Sequence, residues 1–282
     1  MTPKKLVVCG GNGFLGSRIC CAAVTRNWDV VSISRSGEPS WPNVSSHQTA
    51  PQWSKKVTWR SANILQPETY RQDLQDATAV VHSMGILLEA DYKGVLSVKE
   101  SPISGLQRAF AAKKEDATSR PLEGSVRTGG ELTYELMNRD SAVLLAKEAN
   151  EANVPVFGFV SAAAGAPVLP ARYITTKREA EATIHARFPR MRGVFIRPGF
   201  LYDSSRSFTM PLAALTYGGF LANSLVGGGL SSLMGSAGAK PLKADVVADA
   251  MVEALSDGSV QGPVEIKQIE SLANRVWRRE ML

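Results

Sequence analysis

The chain is short of the residues that hold most metals and staple small extracellular domains: its 282 residues include three cysteines and three histidines. Cys9, Cys20 and Cys21 all fall in the first predicted strand and helix, without metal-ligand spacing or partners elsewhere. That excludes a disulfide framework and suits buried thiols in a reducing compartment. His47, His82 and His185 are too scattered to build a metal centre, and no metal is expected. His47 and His185 read as surface positions, and His82, inside an apolar strand, as a core or cofactor-wall residue rather than a catalyst. There is no internal repeat. An unbroken spanning helix is also missing: Ser207 to Ala239 carries no charge, but Pro211, Gly218, Gly219, Asn223 and Gly227-Gly228-Gly229 interrupt it. This stretch, within residues 200–240, reads as an apolar substrate cap of short helices and loops, with peripheral contact to a bilayer in view. No apolar core with a cleavage site precedes the first predicted strand, so no cleavable targeting segment is expected.

What is present fits an ordinary globular protein: 44% hydrophobic residues, 21% charged residues and a net charge of +6. The positive excess attracts anions of every kind. Its residues are scattered, with only short pairs such as Lys55-Lys56, Lys113-Lys114 and Arg278-Arg279, which argues against a nucleic-acid groove. Short apolar runs predict strands at Leu6 to Cys9, Val30 to Ser34, Val57 to Trp59, Ala79 to His82, Val156 to Val160 and Val194 to Ile196. Helical spacing follows Gly16 through Ile19 and Val24, and recurs over Thr133 to Glu151 and Arg172 to Arg187. Strands alternating with helices imply a Rossmann-type α/β fold: a doubly wound parallel sheet with a small C-terminal substrate cap, in one domain over residues 1–282. The polar stretch Leu88 to Arg127, within residues 88–130, reads as an insertion loop.

The chemistry begins at Gly10-Gly11-Asn12-Gly13-Phe14-Leu15-Gly16, directly after the first strand. Two glycine spacings overlap here, Gly11-x-Gly13-x-x-Gly16 and Gly10-x-x-Gly13-x-x-Gly16. Small residues let the backbone turn tightly and approach a pyrophosphate, while the helix N-terminus offers N–H donors and a positive dipole end. After the second strand, where an NAD-type site carries an acid for the ribose hydroxyls, stands Ser34-Arg35-Ser36. A cation there suits a 2′-phosphate, so NADP(H) is preferred over NAD(H).

Hydride transfer at a carbonyl needs a proton donor or acceptor on its oxygen, and a tyrosine serves only if its pKa, about 10 when free, is lowered. Tyr173 and Lys177 stand four apart on a predicted helix, on one face, where the ammonium favours the phenolate. Ser161, at the end of the fifth strand, could hold the substrate oxygen, and Asn138, on the preceding long helix, could anchor a relay water.

The glycine loop, Arg35, Ser161, Tyr173-Ile-Thr-Thr-Lys177 and Arg197-Pro198-Gly199 together resemble the extended and atypical short-chain dehydrogenase/reductases over most of the chain. The resemblance implies that Ser83 and Gly85 after the fourth strand and Arg197, Pro198 and Gly199 after the sixth line the cofactor, the last group at the nicotinamide carboxamide. Asn63 stands where that family often has an aspartate near the adenine, a departure bearing on that contact. Within the superfamily, the runs Gly10 to Ile19, Val80 to Glu89, Tyr134 to Asn138 and Tyr173 to Glu181 are most similar to a fungal mitochondrial branch associated with coenzyme Q synthesis. The SDR-like accessory subunit of respiratory complex I is a more distant relative. This likeness implies a matrix-side protein peripheral to the inner membrane, with coenzyme Q synthesis proteins as partners. Three functions follow as expectations: an NADP(H)-dependent oxidoreductase for an apolar, quinone-like substrate; a cofactor-binding assembly or regulatory subunit without turnover; or a sugar-nucleotide epimerase or dehydratase.

Overall fold

The computed structural model describes residues 3–46, 48–85, 133–163, 171–203 and 240–281. The expected insertion at 88–130, His47 and residues 204–239 of the expected cap lie outside the described residues. The elements are β1 (Lys5–Cys9), α1 (Phe14–Thr25), β2 (Asp29–Ser34), a short α2 (Trp41–Val44), β3 (Val57–Ser61), β4 (Ala79–His82), a π-helical turn (Glu135–Asp140) running into α3 (Ser141–Glu151), and β5 (Val156–Val160). They continue with α4 (Ala171–Arg187), β6 (Arg192–Ile196), β7 (Leu201–Tyr202), β8 (Leu242–Lys243), α5 (Ala244–Ser256), β9 (Gly262–Val264) and α6 (Ile266–Glu280).

Seven strands form one sheet in the order β3-β2-β1-β4-β5-β6-β9, and every pairing is parallel. Strands buried on both faces read as near-continuous apolar runs, as Leu6-Val7-Val8-Cys9 does. Alternate side chains separate into two cores. Leu6, Val8, Val30, Val81 and Val194 pack under α1, α5 and α6, while Val7, Cys9, Ile33, Phe157 and Phe159 pack under α3 and α4. The six predicted strands are all present, and β9, α5 and α6 add a further parallel strand and its covering helices.

The helix expected over Thr133 to Glu151 contains a π turn, in which the Ser141 N–H reaches back five residues to the Leu136 carbonyl. Such wide turns recur at functional sites because they re-aim the side chains they carry. The three cysteines are free, with Cys9 and Cys20 fully buried. Burial raises the pKa of both thiols, so they remain protonated packing groups. Among the described residues no helix is long and apolar enough to cross a membrane, and no group of acidic, His or Cys side chains could hold a metal ion.

The tightest packing in the fold lies where α1 leaves β1. Gly10 has φ of 83°, in the left-handed region, and its N–H donates to the Ile33 carbonyl on β2 at 2.8 Å. Gly16, in the first turn of α1, lies against the Gly10 carbonyl so closely that an added Cβ would overlap it. Replacing Gly16 by Ala should therefore cost about 1–3 kcal/mol in urea unfolding. At Gly258 a Cβ meets nothing within 4 Å, and Gly258→Ala should stay within about 0.5 kcal/mol. Equal effects at the two positions would contradict this packing.

Candidate functional site

The chain runs outward from β1 to β3 and then crosses back to place β4 beside β1, so the topological switch point lies between β1 and β4. Crevices at the carboxyl ends of strands beside such a point are where open parallel sheets bind ligands. Gly10, Arg35, Ser83, Ser161 and Arg197 each directly follow a strand at this edge.

Gly10, Gly11, Gly13 and Gly16 form the centre of this edge. The Gly13 N–H donates to the Gly10 carbonyl at 2.9 Å, closing a tight turn, and Gly13 is the N-cap of α1. Phe14, Leu15 and Gly16, expected in the loop, already belong to the first turn of the helix. Gly10-x-x-Gly13-x-x-Gly16 is the spacing that sets this geometry. Gly11 serves a separate packing need, since a Cβ there would overlap Ser32 on β2. A Cβ on Gly10 would come within 2.7 Å of Met84 Cγ. No side chain caps α1, and the glycine backbone around its N-terminus is bare enough to admit an anion closely. The cradle fits a pyrophosphate.

On the β2 side, Asn12 Nδ2 donates to Ser36 Oγ at 2.7 Å, joining the glycine turn to the end of β2 beside exposed Arg35. Ser61 Oγ on β3 donates to the Arg35 carbonyl at 2.9 Å, which fixes the backbone there and leaves the guanidinium at the surface. Asn63 is half-buried. Its Oδ1 accepts the Leu65 N–H at 3.2 Å, so the side chain closes its own loop and keeps its amide nitrogen for any further partner.

On the β4 side, both the Ser83 N–H and Ser83 Oγ donate to the Cys9 carbonyl at 2.9 Å. A Cβ on Gly85 would stand 3.0 Å from Asn138 Oδ1 and 3.3 Å from Lys177 Nζ, so β4's exit, the π turn and α4 converge here. Lys177 is buried. Its ammonium donates to the Val160 carbonyl at 2.8 Å and lies 5.0 Å from the Phe159 ring centre and 5.7 Å from that of Tyr173. Desolvation lowers its pKa to about 7, Glu181 opposing and Arg178 reinforcing the shift. Tyr173 packs edge-on against Tyr134, and burial pushes its phenol up to about 12. The expected phenolate activation is thus not built into this arrangement.

His82 is fully buried in β4, as the sequence implies, with Nε2 2.9 Å from Ser141 Oγ and Nδ1 without a partner among the described residues. Burial, then the nearby Lys177 charge, lowers its pKa to about 3, so it is neutral at physiological pH. His185 is exposed.

Ser161 stands apart from this group. It is buried, and its hydroxyl donates to Glu181 Oε1 while accepting Arg178 Nη1 at 3.0 Å. Glu181 also receives Arg178 at 2.7 Å and, on both oxygens, Arg197. Beyond Arg197, Pro198 is buried and accepts the Ala163 N–H at 2.7 Å, and Gly199 is half-buried. The structure therefore brings Gly85, Asn138, Tyr173 and Lys177 together, and joins Ser161 to Arg197 through Glu181. Reasoning from sequence missed Glu181 and Arg178. The available signal was spacing, since Glu181 follows Lys177 by four residues and shares its helix face.

No protein-family profile matches the chain. The chain is 40% identical over 220 residues to MIOREX complex component 2 of Saccharomyces cerevisiae, covering 73% of this chain and 76% of that protein. It is 26% identical over 299 residues to an uncharacterized chloroplastic protein of Arabidopsis thaliana, covering 97% of this chain and 78% of that protein. Among solved structures it resembles UDP-glucuronic acid 4-epimerase from Bacillus cereus in complex with NAD, with a TM-score of 0.55 at 16% identity over 93% of this chain and 76% of that one. UDP-glucose 4-epimerase from Thermotoga maritima gives a TM-score of 0.54 at 14% identity, covering 96% of this chain and 82% of that one. On a fold shared with these epimerases, the chain belongs to the family of yeast MIOREX complex component 2.

Proposed function

We propose that this protein is a dinucleotide-binding component of a mitochondrial protein assembly, in which binding of the cofactor is the function carried by the site and turnover is secondary. The observation that carries the reading is the Gly10 to Gly16 turn, which bares the uncapped N-terminus of α1. Ser161 supports the weight given to binding, because its hydroxyl is donated to Glu181 and is not available to donate to a substrate oxygen. The yeast relative is by name a complex component, which supports a role among protein partners. Mitochondrial location and a connection with ubiquinone synthesis are inferred from the family resemblance. Arg35, exposed after β2, supports NADP(H) over NAD(H).

The pyrophosphate would lie on the N–H groups of α1, the 2′-phosphate beside Arg35 and the nicotinamide ribose toward Gly85, Asn138 and Lys177. A bound nicotinamide supplies or accepts hydride. A second reading, oxidoreduction of an apolar carbonyl or quinone-like compound, draws support from Tyr173 and Lys177 on one face of α4 beside Gly85. In that reading Lys177 holds the ribose, Tyr173 moves the proton and Asn138 steadies the relay water. Sugar-nucleotide chemistry draws less support, since Arg178 and Arg197 are turned onto Glu181 and not toward a second diphosphate.

Calorimetric titration should show binding of NADPH or NADP more tightly than NADH or NAD. Gly13→Asp, which sets a carboxylate against the phosphates, should weaken it by about a hundredfold or more. Failure of all four nucleotides to bind would refute the reading. Arg35→Glu should reduce the preference for the 2′-phosphate by about tenfold while changing NADH affinity little. An unaltered preference would remove Arg35 from the site.

Tyr173→Phe separates the two readings. It should leave nucleotide affinity within about twofold and preserve cellular function if binding alone matters. Loss of about a hundredfold or more in nicotinamide absorbance change with a substrate would establish turnover instead.

A further inference from the structure

Glu181 is a buried carboxylate, 4% exposed, in the middle of α4. Three donors from three elements converge on it: Ser161 from the end of β5, Arg178 from its own helix and Arg197 from the end of β6, while Lys177 stands one turn before it and donates to the Val160 carbonyl. Arg197 Nη1 continues 2.8 Å to Glu265, the N-cap of α6 after β9. A single carboxylate thus ties α4 to the carboxyl ends of β5 and β6 and, through Arg197, to β9. Removing one partner from a buried ionic cluster leaves the others uncompensated, so the group acts as a unit.

Around Lys177 stand Tyr173, Arg178 and Glu181 from α4, His82 from β4, Asn138 from the π turn, and the Phe159 ring and Val160 carbonyl from β5. His82 and Tyr173 are neutral near physiological pH, and the Arg178 charge works against the ammonium. Glu181 is the anion in this set that opposes Lys177 desolvation.

We propose that Glu181 is a positioning residue of the dinucleotide site, holding Ser161, Arg178 and Arg197 at the sheet edge one helical turn from Lys177. This rests on the dinucleotide reading of the site. Its consequence is a cofactor affinity that falls as pH rises through neutrality, when Lys177 loses its proton, and a midpoint governed by Glu181.

Glu181→Gln keeps the shape and removes the charge. In the full-length protein it should move the midpoint of NADPH binding against pH down by about one unit, weakening binding about tenfold at pH values above both midpoints. Because the single variant leaves two arginines on a neutral amide, Glu181→Gln with Arg178→Gln provides the charge-balanced partner. That double variant should bring the midpoint back toward wild type, whereas lost packing alone would deepen the defect. Affinity lowered equally at every pH, or an unmoved midpoint, would overturn the proposal.

Should wild-type protein bind no dinucleotide at any pH, the cofactor reading fails on its own. The side-chain resonance of Lys177 in 13C-lysine-labelled protein then decides the Glu181 linkage. A lower Lys177 midpoint in the Glu181→Gln variant, or in the double variant a recovered one, supports it, and coincident titrations refute it.

Discussion

The close approach of Gly16 to the Gly10 carbonyl is the constraint on which the site depends. It lets α1 start directly over the end of β1, so the helix points its N–H groups along the crevice beside the switch point. Its neighbours reinforce it: Gly10 takes a left-handed turn, bonds Ile33 on β2, and leaves Gly13 to cap the helix without a side chain. A Cβ at Gly16 would drive the helix away from the sheet and close the cradle. Fold and site are therefore the same contact seen at two scales.

The sheet distributes the remaining groups around that cradle. Arg35 and Asn63 stand beyond β2 and β3, on one side of the switch point, while Gly85, Lys177, Ser161 and Arg197 stand on the other. The second side is governed by desolvation. Burial drives Lys177 down toward neutrality and Tyr173 up, and neither shift favours a phenolate. Glu181 restrains the first shift while engaging Ser161. An arrangement of this kind holds a ligand firmly and gives proton transfer little help.

Much of the fold was legible because β1, β2, β4 and β5 are buried on both faces and so read as apolar runs bounded by turns. The glycine spacing was legible too, although sequence alone left two overlapping registers, and only the φ of Gly10 and the overlap at Gly16 select one. The C-terminal elements were harder. β9 has three residues including Pro263, and α5 is buried almost all round, which blurs its periodicity. The π turn could not be read from Glu135 to Asp140, since wide and ordinary helical turns share composition. Glu181, in the run Glu-Ala-Glu-Ala, looks like a solvated helix position, and its role appears only when β5 and β6 deliver Ser161 and Arg197 to it. Ser161 was identified as polar and well placed, but the direction of its hydroxyl depends on those same partners.

The central claim is that the first turn of α1 holds a dinucleotide's phosphates. Hydrogen–deuterium exchange of the Leu15 and Gly16 amides, with and without NADPH, tests it most directly, because these N–H groups head the first turn of α1, where the phosphates would lie. The account predicts marked slowing of exchange in that turn on adding NADPH, absent in Gly13→Asp. Exchange there unchanged at saturating NADPH would contradict it.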